Sequence, residues 1–275
     1  MDKIDRLVWA EGLSFISYGV RIGIRANKPG VIDKFLPSLP PGWKPSSSPV
    51  VDLLYSVIAG GEGPRPNIRL YNVIYANALR IARVPELDTA IDAFESDLQL
   101  YVAEMSPRRV FVHAGVVGWR GQAIIIPGRS FSGKSTLTAE LVKAGAIYYS
   151  DEYAVLDEQG RVHHYARPLA IRENGDLKKP KKYEVETLGG RRGAKPLPVR
   201  LVVVSRYKPG ATWHPRQLSA GEGALALLAN TVSARREPET ALVALNHAVS
   251  RATILKGNRG EAGQMIDDIF DKLRE

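Results

Sequence analysis

The chain has 275 residues, of which 44% are hydrophobic, and this is enough for one large α/β domain or two smaller ones. It contains no cysteine, so disulfides, thiolate metal sites, iron–sulfur clusters and cysteine nucleophiles are excluded. The net charge of +9 suits anionic ligands such as nucleotides, acidic peptides or nucleic acid. It indicates the class of partner only weakly, because many soluble proteins carry a similar charge.

The first residues, MDKIDRLVWAEGLSF, do not have the pattern of a secretory signal. Acidic residues stand where such a signal needs a basic start and an unbroken apolar stretch, and no later segment approaches the length of a membrane span. We therefore expect a cytoplasmic protein with no membrane partner.

The first 105 residues are expected to form an α+β region. Its predicted elements are, in chain order, a hairpin in 12–25, a short helix in 31–39, a loop in 39–49, two strand-like runs in 50–60 and 68–84, and an amphipathic helix that has Pro85 in its first turn. Apolar residues recur at helical spacing along that last helix and predict a face turned toward the core. They are Leu87, Ile91, Phe94, Leu98 and Val102.

Residues 106–275 are expected to form a second domain of α/β class. Its predicted elements are two strands joined by a WRG turn in 109–128, a helix in 134–144, a strand in 146–150, a strand in 153–165 folded around 158–160, a strand in 198–207, helices in 218–232 and 237–251, a strand in 252–257 and a helix in 261–274. Residues 173–198 are rich in Lys, Arg, Gly and Pro and predict a mobile basic loop. Residues Gly189 to Gly193 could bind an anionic substrate, or they could be a flexible loop without a binding role.

Residues 128–135 read GRSFSGKS, the pattern of a phosphate-binding P-loop. The apolar run QAIIIP precedes it and the periodic LTAELVKAG follows it, as a loop between a strand and a helix requires. Lys134 would bridge the β- and γ-phosphates, and the Ser135 hydroxyl would bind Mg²⁺. The alternative is a glycine turn with an incidental lysine. The residues expected at the nucleotide phosphates are Gly128, Arg129, Ser130, Phe131, Ser132, Gly133, Lys134, Ser135 and Thr136.

Acidic and imidazole side chains stand on the strands beside this loop. Asp151 and Glu152 end the strand that follows the P-loop helix, where carboxylates can hold a metal directly or through water. They could instead be a solvated strand end. His113, in FVHAG, could pair with Asp151 and take a proton from an attacking hydroxyl, although a lone histidine is more often structural. The predicted metal ligands are Ser135, Asp151 and Glu152, and the predicted catalytic residues are His113, Lys134 and Asp151.

The stretch from Val110 to Pro168 resembles the HPr kinase/phosphorylase family and its HPr-kinase-like serine kinases, which are relatives of phosphoenolpyruvate carboxykinases. The segments FVHAG, IIIPGRSFSGKSTLTAELVKAG, YYSDEYAVL and YARPLAIR carry the resemblance. It implies a P-loop-containing HPr-kinase/carboxykinase-like core, with Lys134 on the phosphates, Ser135 on Mg²⁺ and His113 assisting a catalytic Asp151. Glu152 stands where the family usually has a second aspartate.

Outside that stretch the chain departs from the family. It has no clear copy of the glycine-rich and PGRN-like segments that the bifunctional enzymes use to remove phosphate, and its N-terminal region does not resemble theirs. The resemblance therefore implies neither phosphorylase activity nor HPr as the substrate. The general build is similar to that of HPr-kinase-like enzymes of peptide natural-product pathways, which act on a peptide serine.

The leading hypothesis is an ATP- and Mg²⁺-dependent kinase that transfers the γ-phosphoryl to a hydroxyl, with serine favoured, of a peptide, protein or small molecule. An acidic peptide or protein would suit the net charge as acceptor. The alternative is a nucleotide-binding regulatory or accessory ATPase with no external acceptor. No recognisable nucleic-acid-binding module is present, so a nucleic acid is not an expected partner. The acceptor and the oligomeric state, a homo-oligomer among the options, stay open.

Overall fold

The computed structural model describes residues 3–62, 69–129, 132–171 and 181–274. The chain divides into two compact units, residues 1–107 and 108–275. Both units combine helices with β-sheet, so the mixed α/β class expected from the sequence is confirmed. In the part of the chain that the structure describes, no helix is both long enough and apolar enough to span a membrane.

The first unit is built on one long helix and a six-stranded sheet of order β3-β1-β2-β4-β7-β8, with a small β5–β6 ribbon. Its strands are β1 Glu11–Ser17, β2 Val20–Ala26, β3 Lys44–Pro45, β4 Leu53–Ile58, β5 Gly61–Glu62, β6 Arg69–Leu70, β7 Asn72–Ala76 and β8 Leu79–Val84. The helices are α1 Leu87–Met105 and the 3-10 segments Lys3–Arg6, Ile32–Lys34 and Leu36–Ser38.

The periodic face of α1 packs on the core of this unit, as predicted. Phe94 is fully buried and lies edge-on to Tyr55, with ring centroids 4.8 Å apart. Leu98 and Val102 are also fully buried, whereas Leu87 and Ile91 lie partly buried at the margin. The helical spacing therefore located the buried face correctly.

Three local predictions in this unit were wrong in detail. The run 68–84 is not one strand but turns at Asn77, which has a φ of 50°, between β7 and β8. The turn was not predicted because the sequence has no glycine at this position. The segment 31–39 forms two 3-10 turns rather than one helix. Pro85 precedes α1 instead of lying in its first turn.

The second unit carries the larger sheet. Its strands are β9 Val110–Trp119, β10 Gln122–Pro127, β11 Ile147–Ser150, β12 Tyr153–Leu156, β13 Val162–His163, β14 Leu169–Ile171, β15 Lys181–Tyr183, β16 Val199–Tyr207, β17 Arg216–Gln217 and β18 Thr253–Arg259. Its helices are α2 Lys134–Lys143, α3 Ala220–Leu228, α4 Pro238–Val249, α5 Ile266–Asp271 and the 3-10 segments Val185–Leu188, Val232–Arg235 and Ala262–Met265.

The strand order of the main sheet is β13-β12-β9-β10-β16-β18-β17, with β11 also paired to β9. Strands β10, β16 and β18 are parallel, whereas β9 is antiparallel to β10, β11 and β12. The three parallel strands therefore end at one edge of the sheet, at Pro127, Tyr207 and Arg259. The carboxyl-terminal edge of parallel strands is where open α/β sheets usually bind ligands.

Helices cover both faces of this sheet. Ile125 of β10 packs in a cluster that includes α3 and α4 residues, whereas Ile124 and Ile126 pack in a second cluster with α2 and α5 residues. A strand buried on both faces reads as a continuous apolar run, which explains the IIIP segment before the loop.

The basic segment is more structured than expected. Residues 172–180 lie outside the described residues, but β15 pairs with β14 and the Val185 side chain is fully buried. The Tyr148 N–H donates to the Arg191 carbonyl over 2.8 Å, and the Gly193 N–H donates to the Tyr148 carbonyl over 2.8 Å. The prediction that 173–198 lacks core elements is therefore wrong from residue 181 onward. The backbone of this segment forms hydrogen bonds with β11, and such pairing cannot be predicted from sequence periodicity.

Candidate functional site

The loop between β10 and α2 is held by its own backbone. The Gly128 N–H donates to the His113 carbonyl over 3.1 Å, and the Ser132 N–H donates to the Arg129 carbonyl over 3.2 Å. A Cβ on Gly128 would lie 2.5 Å from the Ser132 hydroxyl oxygen, so a larger residue here would force the Ser132 side chain to move. Ser130 and Phe131 lie outside the described residues.

Helix α2 begins immediately after Gly133, which has a φ of 81°, a conformation that favours glycine. The first hydrogen bond of the helix is from the Leu137 N–H to the Gly133 carbonyl, at 3.1 Å. The N–H groups of Lys134, Ser135 and Thr136 precede it and have no acceptor within the helix. These three donors and the positive end of the helix dipole form the type of site that binds phosphate oxygens.

The Lys134 side chain folds back over the loop. Its ammonium group donates to the Arg129 carbonyl over 2.9 Å. Burial lowers the pKa of Lys134, while the negative charges of Glu152 and Asp151 act to raise it. The cation therefore contacts the loop backbone and experiences the negative charge of both carboxylates.

Asp151 lies in the bend between β11 and β12 and is 6% exposed. The Ser135 hydroxyl donates to its Oδ2 over 3.1 Å, and the Ala170 N–H donates to the same oxygen over 3.0 Å. Its Oδ1 lies 2.9 Å from the Tyr148 hydroxyl. Burial raises the pKa of Asp151, and these hydrogen bonds act in the opposite direction. The structure thus brings together two of the three predicted metal ligands.

The Ser135 hydroxyl and the Asp151 carboxylate lie within hydrogen-bonding distance of each other, at 3.1 Å. Both are oxygen ligands of the kind that Mg²⁺ prefers. Among the described residues, no group of three or more His, Cys, Asp or Glu side chains could hold a metal. A site with one carboxylate, one hydroxyl, water and substrate phosphates fits this inventory, because Mg²⁺ retains water readily.

His113 pairs with Glu152 rather than with Asp151. Its Nδ1 lies 3.6 Å from Glu152 Oε1, and the two side chains are 39% and 48% exposed. Burial lowers the pKa of His113, and the charge of Lys134 lowers it further, whereas a hydrogen bond with the Glu152 backbone raises it. The described residues show no direct ion pair between His113 and Asp151, and a pairing through one water molecule stays a prediction. The imidazole is biased toward its neutral form, which is the form that accepts a proton.

The bend after β11 explains why the two carboxylates separate. The Ser150 hydroxyl accepts the N–H groups of Glu152 at 3.1 Å and Tyr153 at 3.0 Å, and this turns the chain out of the strand. Asp151 then lies in the interior beside Ser135, and Glu152 lies at the surface beside His113. Strand alternation indicated that the two side chains would diverge, but not which of them would meet the histidine.

Sequence reasoning missed two residues at this site. Tyr148 hydrogen-bonds to Asp151, and the guanidinium of Arg259 donates to the Gly133 carbonyl over 3.0 Å. Arg259 ends β18 in the sequence KGNRG, so its position at the carboxyl end of a strand was a usable signal. Nothing in the sequence indicated its contact with the loop, because the two residues are 126 positions apart.

Comparisons with known proteins identify no family for the chain. No family model matches it, and a search of the curated proteins gave no match. The site must therefore be interpreted from its own geometry.

Proposed function

We propose that the chain is an ATP- and Mg²⁺-dependent kinase that transfers the γ-phosphoryl group to a hydroxyl, with a serine of a peptide or protein as the favoured acceptor. The observation that carries the proposal is the 3.1 Å contact between Ser135 Oγ and Asp151 Oδ2 at the start of α2. A hydroxyl from the first helical turn and a carboxylate from the adjacent strand end are the protein ligands of Mg²⁺ in P-loop nucleotide sites.

The phosphate chain would bind where positive groups converge. The N–H groups of Lys134, Ser135 and Thr136 point out of the helix end, and the Lys134 ammonium would exchange the Arg129 carbonyl for phosphate oxygens. When bound, Mg²⁺ would neutralise charge on the phosphates. The role of the protein groups is to orient the γ-phosphoryl and to stabilise the charge that develops on it.

His113 is the residue that we assign as general base for the acceptor hydroxyl. A serine hydroxyl is almost entirely protonated at neutral pH, so its attack is assisted by a base that removes the proton as the new O–P bond forms. In this step the bond between the γ-phosphorus and the β–γ bridging oxygen breaks, ADP leaves, and the imidazole takes the hydroxyl proton. Glu152 can then stabilise the resulting imidazolium across the 3.6 Å gap.

The proposal is tested by incubating the protein with γ-labelled ATP, Mg²⁺ and serine-containing peptides rich in Asp and Glu, whose charge complements the net +9 of the chain. The matched controls are the same peptides with alanine in place of serine. We expect label on the serine peptides alone. ATP hydrolysis without transfer to any acceptor would instead support the accessory ATPase. Absence of nucleotide binding by calorimetry would reject both functions.

A further inference from the structure

Arg259 is a buried arginine at the carboxyl end of β18. It is 3% exposed, and its Nη2 donates to the Gly133 carbonyl over 3.0 Å while its Nη1 donates to the Gly260 carbonyl over 3.0 Å. A Cβ on Gly133 would collide with this guanidinium. The glycine at the start of α2 therefore makes room for the arginine as well as for the turn.

Within the described part of the chain, no ion pair neutralises this charge. Among the described residues no carboxylate lies within ion-pair distance of Arg259, and the nearby Glu261 accepts a hydrogen bond from Tyr207 over 2.9 Å. Burial lowers the pKa of Arg259, although Glu261 acts to raise it. A buried cation whose described partners are two carbonyl oxygens and the Tyr207 ring is costly to desolvate. Stability alone does not explain its presence.

The guanidinium also has unused donors. Arginine has five N–H groups, two of which account for the contacts with Gly133 and Gly260. The Nε atom is buried and has no hydrogen-bond partner among the residues that the structure describes. An unpaired buried donor beside a helix N-terminus adds to the positive potential there.

We infer that Arg259 is a positioning residue for the phosphate loop, which holds the Gly133 carbonyl at the start of α2 and adds a permanent positive charge behind the phosphate-binding N–H groups. The inference rests on the proposed nucleotide binding. Arg259 acts through the backbone of Gly133, and its charge would raise the affinity for phosphates more than it stabilises the ligand-free protein.

The test is calorimetric titration of ADP and of pyrophosphate into the parent protein, Arg259→Met and Arg259→Lys, at low and high salt. Met has a long side chain without the charge, and Lys keeps the charge without the planar set of guanidinium donors. We expect Arg259→Met to bind both ligands roughly tenfold more weakly at low salt, with a smaller difference at high salt, because salt screens the lost charge. Arg259→Lys should recover part of the affinity.

Arg200→Met is the matched control, since Arg200 also donates to a backbone carbonyl, that of Arg251, over 3.3 Å. It should bind ADP like the parent. The melting temperature of ligand-free Arg259→Met should stay close to that of the parent, because relief of a buried charge offsets the loss of the two hydrogen bonds to carbonyl oxygens.

Equal ADP affinity in Arg259→Met and the parent would overturn the inference while leaving nucleotide binding intact. A large fall in melting temperature, with a loss of affinity that does not depend on salt, would also overturn it and make Arg259 structural. If Arg259→Met does not fold, Arg259→Gln replaces it in the test, since Gln keeps a donor for the Gly133 carbonyl but not the charge. Its ADP affinity at low and high salt is then compared with that of the parent. If the parent binds neither ADP nor pyrophosphate, the proposed function itself fails.

Discussion

The Tyr148 hydroxyl lies 2.9 Å from Asp151 Oδ1 and also 2.9 Å from the Arg167 carbonyl oxygen. A phenol has one proton and can donate it to only one of these two oxygens. The hydrogen bond that Tyr148 donates to Asp151 therefore competes with the one that it donates to Arg167. It offsets only part of the effect of burial, which raises the pKa of Asp151.

Asp151→Asn should therefore stabilise the metal-free protein while it abolishes phosphoryl transfer. The amide can donate from Nδ2 to Tyr148 and accept from Ser135 and Ala170 at Oδ1, so every contact of the carboxylate is retained. We expect a gain of about 1 kcal/mol, measured by thermal melting in EDTA, together with weakened Mg²⁺ dependence. Parental transfer by this variant would make Asp151 a plain strand-end carboxylate.

The gain should depend on pH in a defined direction. A carboxyl whose folded pKa is raised imposes no penalty below its unfolded pKa, where both states are protonated. The penalty grows as pH rises from there through the folded pKa. The melting temperature of Asp151→Asn should thus exceed that of the parent more in neutral buffer than in acid. A difference that shrinks as pH rises would contradict the raised pKa of Asp151.

Lys134→Ala should lower transfer by several orders of magnitude, because it removes the cation expected at the β- and γ-phosphates. The fold should persist, since the one hydrogen bond of the Lys134 side chain to the described residues is that to the Arg129 carbonyl. Lys143→Ala is a matched control at the other end of α2, where Lys143 pairs with Glu140 over 2.8 Å. Initial rates and melting curves of both variants decide the question. Near-parental turnover of a folded Lys134→Ala would reject the phosphate-loop assignment.

The sequence predicted the strand–loop–helix unit because its signals are local. An apolar run, two glycines and a periodic helix all lie between Gln122 and Lys143. The pairing of Ser135 with Asp151 spans 16 positions and follows from a helix and a strand that are consecutive in the chain. The partner of His113 depends on a bend stabilised by the Ser150 hydroxyl. The contribution of Arg259 depends on the parallel pairing of β16 with β18, which no local pattern encodes.

His113→Ala should separate binding from chemistry. The imidazole is not part of the phosphate-binding backbone, so ADP affinity should stay close to that of the parent, whereas loss of a general base should lower transfer by roughly 10²–10⁴-fold. Calorimetry with ADP and transfer assays on the same preparation measure the two effects. An equal fall in ADP affinity and in transfer rate would indicate a structural role for His113, whose ring packs against that of Tyr153 with centroids 4.8 Å apart.

Glu152→Gln tests which carboxylate serves the histidine. Burial and Lys134 already lower the pKa of His113, so the acid limb of the parental pH–rate profile should lie below the ordinary range of histidine. Removing the negative charge 3.6 Å from Nδ1 makes the imidazolium less favourable and lowers that pKa further. The acid limb of Glu152→Gln should therefore move to lower pH, with a modest loss of maximal rate.

Glu158→Gln is the control, because Glu158 lies in the turn between β12 and β13. The acid limb of its pH–rate profile should match that of the parent. If the acid limb is unchanged in Glu152→Gln and also persists in the residual activity of His113→Ala, His113 is not the proton acceptor.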